Sequence, residues 1–388
     1  MRDAKNLSLD ELIEGGVIQL GRGKVISKKD IAACPGPYPI YSSAKENDGK
    51  FGDYGKFMFD EELITWSVDG GGRLFHRPKH RFSVTNVGGT LRILDASVLD
   101  YRYLYYALTI RHAEVPFDWV LKAHPSTIRK LYKDIPVLPL PEQHRIVTIL
   151  DEAFDGITTA KANAEKNLQN ARALFESYLQ SVFTERGEGW GMKPLGEMAA
   201  FRNGINFTKT SKGDPIRILG VKDFQSNHWA PLESLDSIIP DGVVPDSDTL
   251  QKNDIVFVRS NGNPELIGRC LLIGDVSERT THSGFTIKAR LQTEDVLPTY
   301  LCHFLKSGRT RREMIDGGNG ANIKSLNQGT LSRLVIPFPS LADQVQIVQR
   351  LEEIQEETQR LESIYQQKQS ALDALKKSLL HQAFSGQL

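Results

Sequence analysis

The chain has 388 residues, 40% of them hydrophobic and 25% charged, with 48 basic against 48 acidic side chains. That length suits two or three soluble globular domains, and the absence of net charge argues against a free-standing nucleic-acid binder with a basic stripe. No apolar run approaches the roughly 20 residues that cross a bilayer, Met1 to Leu12 is too polar for a signal peptide, and Cys34, Cys270 and Cys302 are isolated, which points to reduced thiols in a cytoplasmic protein.

In chain order, residues 1–134 are rich in glycine, aromatic and short β-branched runs. Leu63-Ile64-Thr65-Trp66 reads as a buried strand running into a tight turn at Asp69-Gly70-Gly71-Gly72, and Tyr101 to Ile110 as a helix. Pro136, Pro139 and Pro141 then precede a long helix, since proline is tolerated where the first turn needs no N–H. Glu142 sits where the helix dipole favours a carboxylate. Ile146, Leu150, Ala153, Ile157, Ala160, Ala164, Asn167, Ala171, Leu174, Tyr178 and Ser181 follow at alternating fours and threes, the spacing of a coiled-coil seam.

Residues 188–334 have the same texture as the first segment. Ile255-Val256-Phe257-Val258 leads into Ser260-Asn261-Gly262, and Pro298 to Met314 reads as helical. Asp69 and Asp254 read as turn caps and Trp66 as core, while Trp119 and Trp229 fit either core or surface. Pro337, Pro339 and Asp343 open a second long helix, whose seam is Ile347, Leu351, Ile354, Thr358, Leu361, Tyr365, Lys368, Leu372, Leu375, Leu379 and Gln382.

The second helix repeats the first. Each matched residue lies 201 positions on, from Ile135-Pro136, Gln143 and Ile146-Val147 to Ile336-Pro337, Gln344 and Ile347-Val348, and as far as Phe183 and Phe384. A gapless repeat means one structural element used twice. Alanine fills the middle of the first seam and larger residues the second, so the two helices are expected to pair with each other, antiparallel. The polar positions Asn167 and Lys368, and Ser181 and Gln382, coincide in the two copies. They are either register-setting breaks in the seam or solvated surface. The fold class expected is α+β: two mixed α/β domains at 1–141 and 188–341, followed by long helices at 142–187 and 342–388 that form an antiparallel coiled coil with pseudo-two-fold symmetry. The charge is uneven, with a surplus of about three basic residues over 1–134, about one over 188–341, and about two acidic residues in each repeated segment.

Ile-Pro-x-x-x-Leu-x-x-Gln-x-x-Ile-Val, present as Ile135 to Val147 and again as Ile336 to Val348, resembles the specificity (S) subunit of Type I restriction-modification systems. So do the last residues, Leu379 to Leu388, and Trp190 with Leu195-Gly196-Glu197. At the first domain Leu9-Asp10-Glu11 lacks the glycine found at Gly196, which leaves that domain's start soft. The resemblance implies a non-catalytic subunit without a cofactor. Each domain would read one half of a split, asymmetric site in double-stranded DNA, while the helices space the domains and dock two modification subunits. Those partners would carry S-adenosylmethionine and methylate adenine, and restriction subunits would join them for cleavage. A coiled-coil structural scaffold, or the recognition subunit of a related methylation-only system, is the alternative.

The residues agree with a non-enzyme, because the chain lacks an Asn/Asp-Pro-Pro-Tyr/Phe methyltransferase motif, a Gly-x-x-x-x-Gly-Lys-Ser/Thr loop and a His-Glu-x-x-His pair. Gly21-Arg22-Gly23-Lys24 and Gly70-Gly71-Gly72 have the wrong spacing for a phosphate cradle. For DNA, cations on phosphates set register and side chains at base edges read sequence. In the first domain the densest candidate runs from Arg73 through His76, Arg77 and Lys79 to Arg81, read as a hairpin loop laid along DNA or a solvated basic turn. Arg22, Lys24 and Lys28, with Lys29, form a second cluster, and Lys122 lies beside His124 in a polar loop. In the second domain Arg202, Asn203, Asn206 and Lys209, with Lys212, suggest a glycine-containing loop after a short helix. Arg259, Asn261 and Asn263 project from a strand end, and Asn322, Lys324 and Asn327, with Asn319 and Gln328, crowd one glycine-rich loop. Asn and Gln pair with adenine and Arg with guanine, but Asn in such loops also serves turn geometry.

Overall fold

The computed structural model describes residues 5–43, 47–69, 73–185, 187, 189–208, 210–224, 228–317 and 325–388. The chain forms two compact units. Unit one holds residues 1–164 and 367–388, and unit two holds 165–366, so each long helix contributes one half to each unit.

Unit one begins with strand Lys5–Leu7, paired antiparallel with Ile135–Val137, and a helix at Leu9–Glu14 started by a reciprocal capping box between Ser8 and Glu11. A six-stranded sheet follows in the order Ile18–Arg22, Gly88–Ile93, Phe59–Ser67, Leu74–Val84, Tyr38–Tyr41, Lys50–Tyr54. All neighbours are antiparallel except Tyr38–Tyr41 against Leu74–Val84. Helix Tyr101–Glu114, capped by Asp100, buries Tyr103, Leu104, Tyr106, Ala107 and Leu108 in the core around Trp66, Leu91 and Ile93. Ile146, Leu150, Phe154 and Ile157 of the first long helix and Leu380 and Ala383 of the second belong to the same core.

Unit two has a four-stranded antiparallel sheet, Ala199–Asn203, Thr286–Leu291, Ile255–Val258, Cys270–Leu272, and a three-stranded one, Asp236–Ile238, Ile216–Leu219, Thr280–His282. The helical stretch expected from Pro298 breaks at Ser307 into Pro298–Lys306 and Gly308–Asp316. Its core takes Leu179 and Phe183 from the first long helix and Val348 and Leu351 from the second.

The long helices span Leu140–Thr184 and Leu341–Ser385. They pair antiparallel, since numbers rise on one as they fall on the other. In unit one Lys161 Nζ lies 2.7 Å from Asp373 Oδ1, and in unit two Arg172 Nε lies 2.6 Å from Glu362 Oε1. Under the repeat Lys161 corresponds to Glu362 and Arg172 to Asp373. The two ion pairs are therefore one contact used twice, with its signs exchanged.

The seam departs from its sequence pattern in one respect. Asn167, Leu174, Lys368 and Leu375 are exposed, Leu174 by 70%, while Leu168, Phe175 and Gln369 turn inward. The cause is geometric. A straight helix has 3.6 residues per turn, so a strict 3.5 repeat drifts round it by about 20° per heptad. The drift reaches about half of one residue's 100° step by Ala164 in the first copy and Tyr365 in the second, so beyond them the next residue along shares the inward place. The polar breaks at Asn167 and Lys368 are thus solvated surface and not buried register markers.

The repeat also fixes how each helix starts. Gln143 is fully buried: its Oε1 accepts from Asp100 N at 2.9 Å, and its Nε2 donates to Val98 O at 2.8 Å and Leu138 O at 2.7 Å. Gln344, equally buried, accepts from Leu297 N at 2.8 Å and donates to Asp295 O at 2.8 Å and Pro339 O at 3.0 Å. Tyr103 Oη donates to Pro136 O at 3.0 Å and Tyr300 Oη to Pro337 O at 2.8 Å. The helix ends repeat as well: Phe384 meets Tyr103 with ring centres 5.1 Å apart, and Phe183 meets Tyr300 at 5.5 Å.

The two units are expected to differ in their response to acid. Burial pushes the imidazoles of His228, His282 and His303 in unit two down to about 2, 3 and 4, and that of His112 in unit one to about 4. Unfolded histidine titrates near 6.5, so below that pH the unfolded chain binds more protons and stability falls, by roughly 1.4 kcal/mol per pH unit for each such histidine. Between pH 6.5 and 4 unit two is expected to lose thermal stability more steeply than unit one. Calorimetry at pH 7, 6 and 5 checks this, and parallel shifts of both transitions would sink it.

Candidate nucleic-acid interface

In unit one, strand Ile18–Arg22 ends beside the turn Thr85-Asn86-Val87-Gly88, closed by Gly88 N donating to Thr85 O at 2.9 Å. Gly23 N donates to Gly88 O and Lys24 N to Val84 O, at 3.1 and 3.0 Å. Val68 N donates to Val87 O and Ala123 N to Val68 O, which draws the loop before helix Pro125–Leu131 onto the same corner. In unit two, strand Ala199–Asn203 ends beside the turn Ser283-Gly284-Phe285-Thr286, closed by Thr286 N donating to Ser283 O at 2.8 Å. Gly204 N donates to Thr286 O, Ile205 N to His282 O, Arg259 N to Phe285 O and Leu326 N to Arg259 O. Helix Gln328–Arg333 starts there. One backbone junction is therefore built twice. A Cβ at Gly23 would lie 2.0 Å from Val84 O, and one at Gly204 2.2 Å from Ser283 O, so both strand ends require glycine.

The side chains on the two junctions are unlike. In unit one Arg22 Nη2 donates to Asn86 O at 2.5 Å and its Nη1 lies 3.2 Å from His124 Nε2. Lys122 Nζ pairs with Asp69 at 2.8 Å, and Lys24 is exposed. Candidates more than 100 residues apart in sequence thus meet at one corner. The matching place in unit two carries Asn203, whose Oδ1 accepts from Gln328 Nε2 at 3.2 Å, and Arg259, whose Nη1 donates to Gly284 O at 3.4 Å. Phe285, at the turn, is 60% exposed. Both junctions set an arginine on the turn carbonyl; unit two adds amides and an exposed aromatic ring, and unit one further cations.

Other candidates are placed differently from the sequence expectation. The segment from Arg73 to Arg81 is no hairpin loop, for Leu74–Val84 is an eleven-residue strand inside the sheet. Arg77 is 5% exposed, with Nε donating to Thr65 Oγ1 at 3.0 Å and its guanidinium 3.6 Å from the Tyr41 ring centre. Burial brings its pKa down to about 10. The apolar residues Leu74-Phe75 and Phe82-Ser83-Val84 at its two ends were the strand signal that the charge density between them masked. His76 pairs with Glu62 at 2.6 Å and Arg81 with Asp60 at 3.0 Å, while Lys79 is exposed. Lys28 stands on the exposed helix Lys28–Ala33, capped by Ser27. Arg202 and Asn203 close a strand, the loop beginning only after them at Gly204, and Arg202 pairs with Asp248. Asn206 is exposed beyond that strand.

Asn261, Asn263 and Asn327 each accept at Oδ1 from a backbone N–H of the local turn or helix start, at 2.8, 3.0 and 2.8 Å. Gly70-Gly71-Gly72, Lys209, Asn319, Asn322 and Lys324 lie outside the described residues. Asp254 is buried, accepts from Gln251 N at 2.8 Å and pairs with Arg290. Asn86 and Phe285 were missed by sequence reasoning. Their signal was the short turns Asn-Val-Gly-Gly and Ser-Gly-Phe between two strand patterns. Among the described residues no helix is long and apolar enough to cross a membrane.

The model of the Type I restriction modification DNA specificity domain matches this chain twice, over residues 9–169 and 187–369. The chain belongs to that family. It is 27% identical over 186 residues to a putative type I specificity subunit of Mycoplasma pneumoniae, S.MpnORF507P, covering 47% of this chain and 50% of the relative. It is 23% identical over 209 residues to the Type I restriction enzyme StySPI specificity subunit of Salmonella potsdam, covering 52% and 44%. The chain spans about half the length of these curated relatives in each match. Among solved structures, a chain from a study of complex assembly and conformational transition of the type I R-M system superposes with a TM-score of 0.70 at 14% identity, covering 96% of this chain and 98% of that one. The HsdS subunit of Thermoanaerobacter tengcongensis superposes with 0.52 at 15% identity, covering 99% and 97%. At these identities the likeness is one of fold: two mixed α/β specificity domains, each followed by a long helix.

Proposed function

We propose that this specificity-domain chain is the non-catalytic DNA-recognition subunit of a Type I restriction-modification complex. Each domain reads one half of a bipartite, asymmetric site, and the paired helices set the spacing and dock two modification subunits. S-adenosylmethionine belongs to those subunits, restriction subunits complete the assembly, and the complex works in the cytoplasm. The observation that supports this best is the duplicated junction, in which one backbone presents Arg22, Asn86 and His124 in one unit and Asn203, Phe285 and Gln328 in the other. Conserved geometry with unlike polar groups is what two readers of two different base sequences require. The overall neutrality fits a subunit that shares phosphate contacts with partners.

Long-read methylation mapping of host DNA with and without the gene tests this. A split adenine-methylated motif should vanish on deletion. Arg22→Ala should relax one half of that motif and Asn203→Ala the other, each by about 1–3 kcal/mol of discrimination, or roughly 5- to 150-fold. An unchanged methylome on deletion would leave the scaffold reading in its place, and loss of methylation without any cleavage phenotype would favour the methylation-only system.

A further inference from the structure

Beside the unit-one junction the chain holds an apolar tip in water. Trp119 is 74% exposed and Val120 91%. The tip is not slack. Asp118 Oδ1 accepts from Val120 N at 2.7 Å and from Leu121 N at 2.6 Å, and Asp118 N donates to Leu121 O at 3.1 Å. Phe117, on its inner side, stacks on His112 at 5.0 Å and meets Tyr132 at 6.5 Å. A closed turn anchored by a ring stack thus presents an indole and an isopropyl group outward. The chain then passes directly to Lys122, paired with Asp69, and to His124, beside Arg22.

We infer that Trp119, backed by Val120, is a wedge that enters a base step of the DNA half-site read by unit one. The inference rests on the DNA-recognition reading above. Three features select this occupant. The groups of the adjoining junction, Arg22, Lys122 and Lys24, are cationic and suit the phosphates near an opened step. An apolar side chain inserted between base pairs unstacks and kinks the duplex, and flanking cations hold the bent backbone. The Asp118 turn fixes the backbone that carries the indole before binding, so little main-chain ordering remains to oppose insertion. The wedge also supplies recognition without a base-edge hydrogen bond, because pyrimidine–purine steps open more easily than others.

The test uses the full chain assembled with its modification subunits, and duplexes with 2-aminopurine placed at successive positions of the mapped site. With the wild-type chain, and apart from the target adenines that the modification subunits turn out of the stack in either half, fluorescence should rise at one step in the unit-one half and nowhere in the other. Trp119→Ala should abolish that rise and weaken binding by about 5- to 150-fold, the range for one stacked base. Trp119→Phe should keep part of both. Asp118→Ala, which frees the tip but keeps the indole, should weaken binding less and blur the position of the rise. Because Trp119 is so exposed, the melting temperature should stay unchanged. A Trp119→Ala complex with unaltered affinity and fluorescence overturns the wedge. So does a variant that binds modification subunits poorly yet leaves the fluorescence rise intact, which would make the tip a protein contact. A wild-type complex without sequence preference would instead refute the recognition reading beneath it.

Discussion

Replacing Gln344 by leucine is expected to destabilise unit two by about 3–6 kcal/mol, and Gln143→Leu to do the same to unit one. Each side chain is fully buried and satisfies three backbone groups. Leucine has nearly the same volume, so the loss falls on hydrogen bonds and not on packing. A buried backbone group left unpaired costs about 1–3 kcal/mol; of the three that lose their partner one is fully buried and two are partly buried, which keeps the sum to about 3–6 kcal/mol. The consequence reaches beyond stability, because the same glutamine fixes where the long helix leaves its domain. Calorimetry that resolves the two units measures the effect, and a drop of less than 1 kcal/mol in the corresponding transition would show that water or backbone relaxation replaces the lost partners.

Phe183→Ala is expected to cost about 3–5 kcal/mol, the usual range for a buried phenylalanine. Phe183 is 5% exposed, with ring centres 5.5 Å from Tyr300 and 5.2 Å from Phe304. It sits near the end of the first long helix yet belongs to the core of unit two. The loss should therefore appear in unit two, although the residue belongs to the helix that starts from the first domain. Leu174→Ala, nine residues earlier on the same helix and 70% exposed, should change stability by no more than about 0.5 kcal/mol. Denaturant titration of both variants decides the point, and similar losses would contradict the inward shift of the seam.

The sequence made the helices legible because a repeat with a constant offset is a geometric statement, independent of propensity. It could not place the drift past Ala164, since a 3.5 pattern and a 3.6 helix agree over two turns and part only over four. The domains were less readable. Leu63 to Trp66 and Ile255 to Val258 announced themselves as buried strands, whereas Arg73 to Arg81 concealed one. No clean alternation marks it, since arginine and histidine fall at both parities and the register shifts within the strand, and Arg77 is buried by stacking on Tyr41 and Phe75, which no hydropathy pattern reports. The junctions were invisible for another reason. Arg22, Asn86 and His124 meet only through strand register and a turn, and their counterparts in unit two share backbone hydrogen bonds but no side-chain identity. The asparagines of the glycine-rich loops were ambiguous in sequence, and the structure gives their Oδ1 atoms to turn geometry at Asn261, Asn263 and Asn327.

The exchanged signs of the two helix ion pairs bear on which helix each can accept as a mate. Were the first helix to meet another copy of itself in the same antiparallel register, Lys161 would face Arg172, twice over; the second helix against its own copy would set Glu362 against Asp373. Only the unlike combination puts opposite charges together at both places. Partly exposed pairs contribute no more than about 1 kcal/mol each, but like charges at the same sites reverse the sign, so the preference grows with every position. The small side chains Ala164 and Ala171 on one helix and the larger Leu361 and Tyr365 on the other push in the same direction. Duplication made the halves interchangeable; four charged residues have since given them complementary sexes.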